Sequence, residues 1–114
     1  MPKTWKSAEL RLAKALGTER TGPTGRDDND VKHPYLAVEC KYRQKLPKWA
    51  LDCLEQARTG KTAAGKLPIV VLLEKRMSLE DGIVVLRFAD FMDLWRKSAP
   101  ADDPIHTRGF SIQA

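Results

Sequence analysis

Asp30-Val31-Lys32-His33-Pro34-Tyr35-Leu36-Ala37-Val38-Glu39-Cys40-Lys41-Tyr42 is the stretch on which the fold of this chain turns. Tyr35 to Tyr42 is apolar and partly β-branched, and the turn dipeptide His33-Pro34 precedes it, so it reads as a strand. Successive side chains of a strand point to opposite faces. Tyr35, Ala37, Glu39 and Lys41 then share one face, and Leu36, Val38, Cys40 and Tyr42 share the other. An acid and a base stand side by side where a buried strand would carry two apolar residues. Asp30 falls on the neighbouring arm of the expected hairpin, where its carboxylate can converge on Glu39 and Lys41. An isolated Glu-x-Lys on an exposed strand is most often a surface pair of little consequence. Two carboxylates and a lysine at one spot point instead to a divalent-cation site with an adjacent base or charge stabiliser.

Working outward, Lys6 to Leu16 reads as a helix, with Trp5, Ala8, Leu12, Ala15 and Leu16 at helical spacing. Thr4 or Ser7 caps it and Gly17 ends it. Glu9 lies at the edge of that apolar stripe, where a carboxylate needs a partner because an unpaired buried charge is costly. Thr18 to Asn29 is rich in Gly, Thr and charge and reads as a binding-type loop. Pro47 to Arg58 is the second expected helix, with Pro47 in its first turn and Trp49, Ala50, Cys53, Leu54 and Ala57 on its inner face. Leu67 to Leu73 is continuously apolar, as expected of a central strand buried on both faces. Ile83 to Phe88 reads as a further strand, and Asp90 as the cap of a third helix, Phe91 to Lys97. The tail beyond Ser98, with Pro100 and Pro104, reads as loosely ordered. The order is α-β-β-α-β-β-α: an α/β fold with a mixed central sheet flanked by helices.

At 114 residues the chain is one domain with a modest core. No apolar run approaches the roughly 20 residues of a membrane span, and Met1-Pro2-Lys3-Thr4-Trp5-Lys6 is no signal-peptide start. Cys40 and Cys53 have neither disulfide-framework nor zinc-ligand spacing and read as reduced core thiols, so a cytoplasmic location is expected. The net charge of +5 favours a polyanionic partner, nucleic acid being the usual one. Basic residues concentrate around the candidate site: Lys3, Lys6, Arg11, Lys14, Arg20, Arg26, Lys32, Arg43, Lys45 and Lys48. Such residues hold a duplex by its phosphates without reading bases, and no base-reading motif is present.

Mg²⁺ takes oxygen ligands, often only one or two carboxylates, and keeps several waters. Asp30 and Glu39 supply the carboxylates, and the Cys40 backbone carbonyl can supply another oxygen. Asp27 and Asp28 offer alternative registers for the first ligand; Asp30 is preferred because Val31 follows it and it lies nearest the hairpin. Lys41 is placed to orient or deprotonate a water, or to stabilise charge on a phosphate.

With a Glu-bearing helix before it, this D…E-x-K pattern resembles the PD-(D/E)XK nucleases, most closely the archaeal-type Holliday junction resolvases, including phage-borne versions. The matching pieces are Glu9 in Ser7-Ala8-Glu9-Leu10, Asp30-Val31, Val38-Glu39-Cys40-Lys41, Gln56-Ala57 and Ile69-Val70-Val71-Leu72. The resemblance spans roughly residues 5 to 97. It implies a restriction-endonuclease-like fold and a dimeric, Mg²⁺-dependent enzyme, with Mn²⁺ substituting, that cuts four-way DNA junctions and leaves 5′-phosphates. It implies Asp30 and Glu39 as metal ligands, Lys41 as the catalytic lysine, and Glu9 as a helix-borne acid acting on the metal directly or through water. Gln56 resembles a supporting helix residue. Thr24 and Arg26 match a loop near the scissile phosphate, and Lys6, Arg43 and Lys45 are further DNA-binding candidates. The proline that opens the superfamily pattern is replaced by Asn29. Alternative readings are another nuclease of the superfamily, or a DNA-binding module without catalysis.

Overall fold

The computed structural model describes residues 4–22 and 29–107. The chain is mixed α/β, with helices α1 (Trp5–Ala15), α2 (Lys48–Thr59) and α3 (Phe88–Ser98) and an antiparallel pair of strands, β1 (Val70–Leu72) and β2 (Ile83–Val85). It divides into two compact units. One comprises the described residues up to Arg43 together with those from Leu94 onward, and the other is Gln44–Asp93.

In the first unit, α1 starts where the Thr4 hydroxyl accepts the Ser7 N–H at 3.1 Å, which satisfies one orphan donor of the first turn. It stops in a Schellman closure. Gly17, at φ 80°, sends its N–H to Lys14 O at 3.0 Å, and Thr18 donates to Ala13 O at 2.9 Å. Ala13, Ala15 and Leu16 are the buried side of this helix, while Trp5, expected on the apolar stripe, is 53% exposed. Three extended arms follow. Val31, itself buried, bridges antiparallel to Arg20 on one side and to Val38 on the other. The bonds between the arms run from Lys32 N–H to Glu19 O (2.9 Å), Thr21 N–H to Asp30 O (3.0 Å) and Asp30 N–H to Val38 O (2.9 Å).

The expected strand over residues 35–42 is therefore an extended arm paired only at Val38. Its alternation is nonetheless present: Tyr35, Ala37, Glu39 and Lys41 are exposed and Leu36, Val38, Cys40 and Tyr42 half-buried. The Asp30 carboxylate explains where the pairing stops. Its Oδ2 takes the Cys40 N–H at 2.6 Å, a side chain standing in for the next backbone acceptor. The Glu39–Lys41 face thus looks to solvent, a correction to its expected burial.

The segment after Ser98, expected to be loose, is packed as far as it is described. A single 3₁₀ turn, Pro104–His106, buries Ile105, and Asp103 caps it by accepting the Ile105 N–H at 2.9 Å. Asp103 also takes the Trp95 indole N–H at 3.2 Å.

In the second unit, Pro47 immediately precedes α2, and Ala50 and Leu51 donate back to its carbonyl. Leu54 is the buried residue of α2, while Trp49, expected on the inner face, is 56% exposed. Strands β1 and β2 pair Val70 with Val85, Val71 with Val84 and Leu72 with Ile83. Gly82, just before β2, is closely packed: an added Cβ would stand 2.6 Å from Leu73 Cδ2, which would have to move, and 3.1–3.2 Å from two carbonyl oxygens. The expected central strand is thus half of a two-stranded sheet, and Ile69, Val71 and Leu73 remain exposed. Burial on both faces needs a layer on each side, and among the described residues two strands do not supply it. The observed order is α-α-β-β-α, the first expected hairpin being represented by the bridged arms. Helix α3 begins three residues earlier than expected, with Asp90 in its first turn and Met92 fully buried.

Candidate metal and phosphate site

The candidate residues of the first unit come from three places: Glu9 from α1, Asp30 from the middle arm, and Glu39, Cys40 and Lys41 from the outer arm. The Asp30–Cys40 bond ties the two arms together directly. Glu39 Oε2 accepts from Lys41 Nζ at 2.8 Å, and both side chains are more than half exposed. Glu9 does not join them. Its Oε1 takes the Arg20 Nε–H at 2.8 Å, with the Glu9 side chain only 12% exposed. The edge-of-stripe position thus has the partner it required. Each of the three carboxylates spends one oxygen in this way.

The Cys40 thiol reads the local field. Burial pushes it upward first, then the negative charges of Glu9, Asp30 and Glu39 push it further, with Arg11 opposing. The surroundings of the Cys40 thiol are therefore net negative. Lys41 is raised as well, first by its hydrogen bond to Glu39 and then by the Glu39 charge, against the repulsion of Arg43. Its ammonium is held more firmly than that of a free lysine, which favours donating and charge-stabilising work over proton abstraction. Among the described residues no group of three or more His, Cys, Asp or Glu side chains is close enough to hold a metal ion. Two carboxylates and a backbone carbonyl remain a donor set of the kind Mg²⁺ takes with water.

Of the other expected residues, Gln56 is exposed on α2, in the second unit. Lys45 is exposed at the start of that unit and Arg43 at the end of the first arm system. Thr24 and Arg26, with Asp27 and Asp28, lie outside the described residues. Lys6 sits on α1 with its ammonium 5.4 Å from the Trp5 ring centroid.

Sequence reasoning missed Arg20 as the partner of Glu9, and missed Asp103 altogether. Asp103-Pro104 carries a local signal, an N-cap acid before a proline at the first position of a turn. No family model, curated protein or solved structure matches the chain.

Proposed function

We propose that the chain is a metal-dependent, structure-selective DNA endonuclease that resolves four-way junctions, working in the cytoplasm as a homodimer. The observation that carries this reading is the Asp30 carboxylate bonded across the arms to the Cys40 N–H, next to the Glu39–Lys41 pair on the same arm. Asp30 and Glu39, with the Cys40 carbonyl, would hold a Mg²⁺ or Mn²⁺ ion. That ion supplies an acidified water and a counter-charge for phosphate. Asp30 keeps its arm in register through the Cys40 N–H, and Glu39 keeps Lys41 protonated and placed. The Lys41 ammonium then orients the attacking water or matches charge building on the phosphate oxygens. The roles of Glu9, whose carboxylate is paired with Arg20, and of Gln56 rest on resemblance alone.

A restriction-endonuclease-like fold belongs to this reading, with the bridged arms around Val31 standing for its metal-bearing hairpin and β1–β2 for its later strands. A homodimer follows from the chemistry, since symmetric resolution needs two nicks and one chain offers one such site. Preference for a branched substrate rests on the resemblance and on basic residues around the site without a base-reading motif in the sequence.

The test is cleavage of a labelled four-way junction against linear duplex, with Mg²⁺, with Mn²⁺ and with chelator. Paired nicking of the junction with duplex spared is the expected result. Efficient cutting of linear duplex would move the chain to another nuclease type of the superfamily, and no cleavage with either metal would leave a DNA-binding module.

A further inference from the structure

A cleft of about 570 Å³ opens beside α1 in the first unit, within the size range of small-ligand sites. Lys6, Ser7, Leu10, Lys14, Thr18, Glu19 and Arg20 line it. Ser7 and Lys14 lie seven positions apart, two turns along one helix face, and Thr18 to Arg20 return beside them after the Gly17 closure. Among the described residues, Lys6 and Lys14 have no carboxylate within ion-pair distance. Arg20 is different. Its Nε–H is committed to Glu9, and its guanidinium carbon lies 5.5 Å from the Trp5 ring centroid. Two contacts thus fix the plane of the fork while its terminal nitrogens remain for another acceptor. Trp5, more than half exposed, has both Lys6 and Arg20, two of the lining residues, against its ring. With Arg20 matched by Glu9, the two lysines outweigh Glu19 and leave the cleft positive. Two hydroxyls complete a set of donors suited to an oxyanion.

We infer that this cleft binds a phosphate of a nucleic-acid strand, with Arg20 as its bidentate anchor and Lys6 and Lys14 as its point charges. The ligand class rests on the proposed DNA-acting function, but the site is separate from the Asp30–Glu39–Lys41 cluster. Arg20 connects the two, holding Glu9 on one side and facing the cleft on the other.

The test is done in chelator, so that binding is read without cleavage. Anisotropy of a dye-labelled four-way junction is followed from roughly 50 to 200 mM salt for wild type, Lys6→Gln, Lys14→Gln and the double variant. Both lysines are exposed, and circular dichroism confirms that the variants fold. Each single change is expected to lower the slope of log affinity against log salt by about one, and the double variant to bind about tenfold or more weakly at the upper salt. Lys61→Gln and Lys75→Gln, exposed lysines outside the cleft, serve as controls expected to leave the slope unchanged. The inference is overturned if the double variant keeps the wild-type slope, or if the controls lower it equally. A second measurement follows the Trp5 indole N–H resonance, assigned with Trp5→Phe, during titration with a short thymidine oligonucleotide and with inorganic phosphate. A shift with the oligonucleotide is expected. A shift with inorganic phosphate alone assigns the cleft to a free anion and overturns the nucleic-acid claim. Loss of junction cleavage with intact binding in chelator would count against the nuclease reading and not against the cleft.

Discussion

His33 and Asp103 face one another 3.2 Å apart with both side chains sealed from solvent. The His33 Nδ1 accepts the N–H groups of Tyr35 and Leu36, both at 3.0 Å. The proton of the neutral ring therefore sits on Nε2, toward the Asp103 carboxylate. The N–H is not aimed well enough for a hydrogen bond, so the contact is electrostatic. Asp103 gains its actual hydrogen bonds from Trp95 and the Ile105 N–H. Asp103→Ala leaves all three groups buried and unmatched, and is expected to cost about 3 kcal/mol of stability. Asp103→Asn keeps an acceptor for Ile105 and should cost less, about 1–2 kcal/mol. Urea unfolding followed by circular dichroism measures both. Equal stability of Asp103→Ala and wild type would show that the segment after Ser98 does not hold the fold.

That lock marks the boundary of what the sequence discloses. The helices were legible because their signals are local: the Thr4 cap, Gly17 in its left-handed closure, and Pro47 ahead of α2. The Glu39–Lys41 pair was legible for the same reason, since a period of two puts both on one face wherever the backbone is extended. Whether that face would be buried was not legible. It depends on which arm pairs with residues 35–42, and the Asp30 side chain ends the pairing at a point no periodicity records. Arg20 meets Glu9 only because the chain reverses after Gly17, and Asp103 meets His33 only through tertiary packing. Continuous apolar composition over 67–73 gave the strand but overstated its burial, because composition does not say whether a second layer arrives.

The Cys40 thiol offers a readout of the acid cluster that needs no activity. In a Cys53→Ser background, its alkylation near neutral pH is expected to be slower than that of an unstructured cysteine, because the thiol is pushed above its ordinary value of 9.0. Asp30→Asn and Glu39→Gln should each speed the reaction, and only partly, since burial is the larger cause. Millimolar Mg²⁺ should speed the wild type and not the double variant. The linkage runs the same way. A thiol raised on folding adds stability that is complete below its unfolded value and is lost as pH rises through the folded one. Unchanged alkylation rates in both variants would mean that the carboxylates do not face Cys40 as a group.

For the proposed cleavage, Glu39→Gln and Asp30→Asn are expected to lower the junction-cutting rate by about 100-fold or more at saturating metal. Glu9→Gln should be milder, about 10-fold, because its carboxylate is spent on Arg20. Single-turnover assays with excess protein separate these losses from DNA binding, which should stay near the wild-type level in chelator. An Asp30→Asn variant that cuts as fast as wild type would remove Asp30 from the metal site.

Lys41 decides between two kinds of chemistry. Its hydrogen bond to Glu39, and then the Glu39 charge, hold its ammonium above the ordinary lysine value of 10.5. The stability linked to this shift is complete below the unfolded value and is lost only as pH rises through the folded one, so nothing is lost in the neutral range. There Lys41 is charged, and it donates rather than accepts a proton. Lys41→Gln, which removes the charge, is expected to lower cleavage by about 100-fold. Lys41→Arg keeps a charge that does not titrate and should retain about a tenth of the wild-type rate or more. Over about pH 6 to 9 the Lys41→Arg profile should have the wild-type shape, because neither side chain titrates there. If Lys41→Arg is as inactive as Lys41→Gln while still binding the junction, the lysine acts by giving up its proton, and Glu39 holds it in the wrong state until DNA arrives.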